Sequence, residues 1–183
     1  MSAIFQNILV DLVLLFFPLA IVYKEKNFGG KKALYELGLK KIGLIELLKK
    51  TLAILFAMLA VSFVIVSIAN TAGVNDLQRV GEAIGETLQT SLLLMLYLLT
   101  VRVFTEELFF RGFLVGRIGV FGSSLVFGLA HVFFGSVVEV IGAFALGLVL
   151  AIFFQKNKNI FPNIAAHFLY NILALVIFFG IAE

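Results

Sequence analysis

Glu106 and Glu107 stand side by side in Thr105-Glu106-Glu107-Leu108-Phe109-Phe110-Arg111, at the end of a strongly apolar run. A charge at the centre of a bilayer helix costs roughly 2.5–3.5 kcal/mol. Three such groups in one apolar stretch must therefore be paired, solvated or used. Successive residues on a helix diverge by about 100°, so the two carboxylates cannot do the same job. Glu107 and Arg111 are spaced i, i+4 and can pair on one face. Glu106 has the same spacing from Arg102, yet it is the better candidate for a free carboxylate acting as a general base. The competing reading is an Arg–Glu cluster that only anchors a helix end.

His131 and His167 are the only histidines, and both lie in apolar runs. Phe127 and His131 share a helix face at i, i+4. Taken singly, such a histidine reads as a satisfied core residue as readily as a catalytic one. His167 and Asn171 share the same spacing, so an imidazole and an amide project together. That pair can donate two hydrogen bonds to a developing oxyanion. It can equally be an interhelical hydrogen-bonding pair of the kind that holds membrane bundles together.

Together these groups point to one polar site. Pro162 marks the start of the last helix just before His167. Gly119 and Gly122 mark the start of the helix that carries His131, placing it about 13 Å along at 1.5 Å per residue. Asp11 and Glu139 are further acids in apolar runs, and either could serve a proton or an ion. Neither has a partner at useful spacing. The chain contains no H-E-x-x-H, no G-x-S-x-G and no phosphate-cradling glycine loop.

The elements that must carry these residues are membrane helices. The 183 residues are 62% hydrophobic with a mean hydropathy of +1.12, against about 45–50% apolar in ordinary soluble domains. The alternation of a membrane β-barrel is absent, so the expected class is all-α, a polytopic helical bundle. Six runs approach bilayer length, at about 4–22, 51–69, 89–109, 120–134, 137–154 and 160–181. The fourth and fifth are joined by little more than Gly135-Ser136 and read as a tight hairpin. The whole chain, 1–183, reads as one membrane-embedded domain. The first run lacks a basic leader and a cleavage site, so it reads as a retained helix.

Eight lysines, Lys24, Lys26, Lys31, Lys32, Lys40, Lys41, Lys49 and Lys50, fill the loop after the first run. The positive-inside rule makes that loop cytoplasmic. The 70–88 loop then falls outside, and the site falls near the cytoplasmic face of the cell membrane. Within the lysine-rich loop, Leu34, Leu37, Ile42, Ile45, Leu48 and Leu52 recur at helical spacing. An interfacial amphipathic helix is expected there; the alternative is a helix that continues into the second span. With no cysteine, thiolate chemistry and cysteine metal sites are excluded. The basic residues suit topology rather than nucleic acid, which is not an expected partner.

The ordered motifs resemble the CPBP family, which includes the type II CAAX prenyl endopeptidases and the Abi proteins. The family pattern E-E-x-x-x-R, F-x-x-x-H and H-x-x-x-N is met by Glu106, Glu107 and Arg111, by Phe127 and His131, and by His167 and Asn171. The resemblance covers about 99–175, and Gly112 extends its first motif. It implies an intramembrane endopeptidase. Glu106 would activate water with help from His131, while His167 and Asn171 would stabilise the oxyanion. Glu107, Arg111 and Phe127 would be supporting residues. It leaves zinc open as a cofactor, with Glu106, His131 and His167 as the ligand set. The implied partners are membrane lipid and a membrane-associated or lipid-modified protein or peptide. A non-catalytic immunity or scaffold protein of the same family is the first alternative, and a small proton-coupled transporter the second.

Overall fold

The computed structural model describes residues 3–26, 30–74 and 76–180. Among the described residues the structure is helical throughout, with no strand. The elements in order are α1 (Ala3–Lys26), α2 (Gly30–Glu36), α3 (Leu44–Thr71), α4 (Gln78–Thr90), α5 (Leu92–Tyr97), α6 (Val103–Glu106), α7 (Val115–Leu129), α8 (Val137–Asn157) and α9 (Phe161–Gly180). Two π-helical stretches, Leu98–Arg102 and Glu107–Leu114, join α5, α6 and α7 into one winding.

Five helical runs among the described residues are long and apolar enough to cross a bilayer. The sequence suggests six, and the difference lies in 89–134. There the expected third and fourth spans form one run, Leu92–Phe134, of 43 residues. At 1.5 Å per residue this is about twice the thickness of a hydrocarbon core. The run is broken at Gly119, where φ is 74° and ψ 178°. That backbone geometry is open to glycine and strained for other residues. The protein is an integral membrane helical bundle. Its outer surface agrees, since Phe63, Leu93 and Phe133 stand largely exposed, as lipid-facing side chains do.

The interfacial helix is shorter than expected. Leu34 lies on the seven-residue α2, and the helix ends at Glu36. Leu37 follows in the break and is buried against Phe154 and Ile160. Ile45, Leu48 and Leu52 belong to α3, so this part of the pattern continues into the second span. Gly38 follows the end of α2 and turns its carbonyl to the Ile160 amide at 3.0 Å. Asn159 adds a bond from its side-chain amide to the Lys40 carbonyl at 3.0 Å. The 37–40 break is thereby docked on the α8–α9 turn.

Close backbone approaches set the helix positions. A Cβ on Gly128 would meet the Phe144 Cβ at 2.8 Å, and one on Gly147 would meet the Ser124 Cα at 3.3 Å. Small residues thus let α7 lie directly on α8, the usual way helices associate in lipid. A Cβ on Gly112 would stand 2.5 Å from the Leu37 carbonyl oxygen. The glycine beside Arg111 is therefore where the 37–40 break presses on the π-helical stretch. Leu108, Phe110 and Phe113 on that stretch are buried in the core, which fixes the rotation of Glu107 and Arg111 between them.

Candidate active site

Glu107 and Arg111 are almost wholly buried, at 0% and 1% exposure. Arg111 Nη1 lies 2.8 Å from Glu107 Oε1, confirming the i, i+4 pair. The guanidinium also sits over the Phe127 ring at 4.2 Å. The pair is held by charge and by this ring contact. None of the guanidinium nitrogens makes an aligned hydrogen bond, and Glu107 Oε2 has no partner among the described residues. Such a pair sits in a π-helical stretch, a geometry frequent at functional sites.

The same carboxylate oxygen carries a second load. His167 Nδ1 lies 2.9 Å from Glu107 Oε1. A carboxylate only accepts, so Nδ1 carries the proton. Glu107 thus orients His167 as well as pairing with Arg111, a contact the sequence spacing does not reveal because it spans 60 residues. His167 projects from α9 nearly two turns after its start. That start is set by Asn159, whose side-chain oxygen accepts from the Phe161 amide at 3.0 Å, with Pro162 in the first turn.

Glu106 behaves differently. It is half-buried at the end of α6, and among the described residues it makes no hydrogen bond or ion pair. Arg102, its other candidate partner, is taken by the first helix. The Arg102 Nε lies 2.8 Å from Asp11 Oδ1, and its Nη2 donates to Asn7 Oδ1 at 2.9 Å. Asp11 also accepts from the Thr105 hydroxyl at 2.7 Å and the Tyr97 hydroxyl at 2.5 Å. The expectation that Asp11 has no partner is corrected: its partners come from other helices. An acid held this way is structural, so a proton path through Asp11 loses its basis.

Phe127 is buried at the centre of the remaining groups. Its ring lies 4.7 Å from the His131 ring, 6.0 Å from His167 and 5.0 Å from Phe110. His131 Nδ1 donates to the Phe127 carbonyl at 2.8 Å. That bond fixes the tautomer and leaves Nε2 as the lone-pair nitrogen. His131 does not sit within the helix as expected. The α7 helix ends at Leu129, and His131 occupies the turn before α8, with φ −91° and ψ 0°. The chain then passes Gly135, at φ 69°, to the Ser136 cap of α8. His131 thus precedes the turn that Asp76 and Arg79 contact. Asn171 is half-buried one turn after His167, without a hydrogen bond among the described residues.

Residues 88–173 match the family model of type II CAAX prenyl endopeptidases, Rce1-like. Over those residues the chain is similar to the CAAX protease family. No curated protein and no solved structure matches it. The matched segment contains Glu106, Glu107, Arg111, Phe127, His131, His167 and Asn171, and excludes Asp11. Peptidase activity is what this match supports in general terms.

The zinc set of Glu106, His131 and His167 that the family resemblance leaves open does not gather here. Among the described residues no three His, Asp or Glu side chains come together as a metal would require, and His167 is turned onto Glu107. Two features escaped the sequence. Glu139 is within electrostatic reach of His131 and Tyr170, although it reads as an isolated acid. Tyr170 in turn shares a 2.6 Å hydroxyl contact with Ser62. The tight hairpin between α7 and α8 offered the only hint, since it brings residues 131 and 139 close together.

Proposed function

We propose that this protein is an intramembrane endopeptidase in which Glu106 activates water against a peptide bond of a membrane-associated or prenylated substrate. One observation carries the reading. Glu107 is committed to Arg111 and His167, and Arg102 to Asp11. Glu106 remains as the unbonded carboxylate of the run.

The chemistry follows from residue types. Glu106 takes a proton from water while the His131 Nε2 lone pair holds the same molecule. The oxygen attacks the carbonyl carbon, and the carbonyl oxygen becomes an oxyanion. Asn171 supplies an N–H donor to it. His167 can donate from Nε2 only with a second ring proton, and Glu107 is placed to balance that charge. Glu106 then returns its proton to the amide nitrogen as the C–N bond breaks. Site groups buried among apolar helices favour a substrate already in the lipid phase, and the lysine-rich loop supports access from the cytoplasmic face.

The test is cleavage of a farnesylated C-terminal peptide by the protein in lipid nanodiscs. Glu106→Gln should reduce the rate by about 10²–10⁴-fold, the usual worth of a general base, with unchanged thermal stability. Full activity in that variant would sink the mechanism.

A further inference from the structure

His131 is carried by a turn that Asp76 and Arg79, at the start of α4, hold in place. Its carbonyl accepts from the Phe134 amide at 3.2 Å, and Val132 accepts from Gly135 at 3.0 Å. This short winding would end free at Gly135 but for two residues of the 72–79 segment. Arg79 Nη1 donates to the Gly135 carbonyl at 2.7 Å. Asp76 takes the next positions: its Oδ1 accepts from the Ser136 hydroxyl at 2.7 Å and its Oδ2 from the Val137 amide at 2.6 Å. A longer bond of 3.3 Å comes from the Val138 amide. Ser136 completes the cap by accepting from the Glu139 amide at 3.0 Å.

From this geometry we infer that Asp76 and Arg79 are positioning residues for His131, fixing the turn that aims its imidazole at the site. The inference deepens the peptidase reading and rests on it for the effect on turnover.

The physical case is one of leverage. His131 lies past the end of α7, so one i+3 bond from the Phe134 amide stands where a mid-helix residue would have the continuing α-helical ladder. Its ring is fixed on one side by the Phe127 carbonyl, and the chain on its other side by the Asp76–Arg79 clamp. The Asp76 carboxyl is held below the ordinary 3.8, foremost by the Ser136 hydroxyl, with backbone amides and Arg79 assisting. The clamp is therefore ionised and closed at neutral pH. A misplacement of about 1 Å at a reacting group can cost 10²-fold in rate.

Only two histidines are present, so both can be followed by ¹⁵N NMR in nanodiscs. In Asp76→Ala, His131 should lose its uniform Nδ1–H signature and react faster with diethylpyrocarbonate, while His167 is unchanged. On the farnesylated peptide, kcat should fall by about 10- to 100-fold with KM unchanged. Asp76→Glu should restore part of the loss, and Arg79→Ala should reproduce it more weakly. An unaltered His131 signal and reactivity in Asp76→Ala would overturn the inference. Should Asp76→Ala fail to fold, the same measurements on Arg79→Ala decide. If the wild type cleaves nothing, the peptidase reading fails, while the histidine signals still decide the positioning role.

Discussion

Two buried acid–arginine clusters lie about two turns apart on one winding, and they are built differently. In the first, Asp11 receives Arg102, Thr105 and Tyr97, and Arg102 reaches on to Asn7. Both carboxylate oxygens have aligned hydroxyl donors, so α1 is fastened to the α5–α6 region. In the second, one oxygen of Glu107 serves Arg111 and His167, the other oxygen is bare, and an unbonded glutamate stands next door. A fully bonded buried acid behaves as a fastener. Sparse bonding beside a free carboxylate and an oriented imidazole leaves capacity for chemistry.

The sharpest way to break this contrast is at Glu107. Removing one partner of a buried pair strands the other charge and costs about 3–5 kcal/mol. Glu107→Ala should therefore lower thermal stability and abolish peptidase activity together, whereas Glu106→Gln should remove activity alone. Thermal unfolding in nanodiscs separates the two; equal stability of both variants would collapse the distinction. Asp11→Asn comes next. It weakens hydrogen bonds to a charged group, worth about 1.5–3 kcal/mol in all, and should cost stability while leaving turnover per folded molecule intact. A turnover loss at full stability would move Asp11 into the site. Gly112→Ala is the mildest. Its new Cβ must displace the Leu37 carbonyl, and overpacking of this kind costs about 1–3 kcal/mol. The loss should appear in melting temperature and in reduced activity, because the strain falls beside Arg111 rather than beside Arg102.

Much of this was legible in the residues. Composition and run length were enough for a helical membrane bundle, and i, i+4 spacing predicted the Glu107–Arg111 pair. The Phe127–His131 spacing also gave a real ring contact. What escaped was non-local. Asp11 is joined to Arg102 and Tyr97 across more than 80 residues, and no periodicity announces that. The His167–Glu107 bond depends on how α9 packs beside the π-helical stretch. The helix end before His131 was missed for a local reason: apolar residues continue to Phe134, so hydropathy conceals where the helix stops. The hydrogen-bonded turn before Ser136 decides it. The single interfacial helix failed similarly, because its period runs through Gly38 and Gly43 while the backbone does not.

The π-helical stretch has one more consequence. Its i→i+5 winding brings a residue closer in line with the one five places before it. Arg111 follows Glu106 by five places and Glu107 by four, and it feels the charge of both. The two neighbouring acids are thus rivals for one cation. While Glu107 holds the guanidinium, Glu106 is left unclaimed. Glu107 is in this sense a guard on its neighbour's freedom.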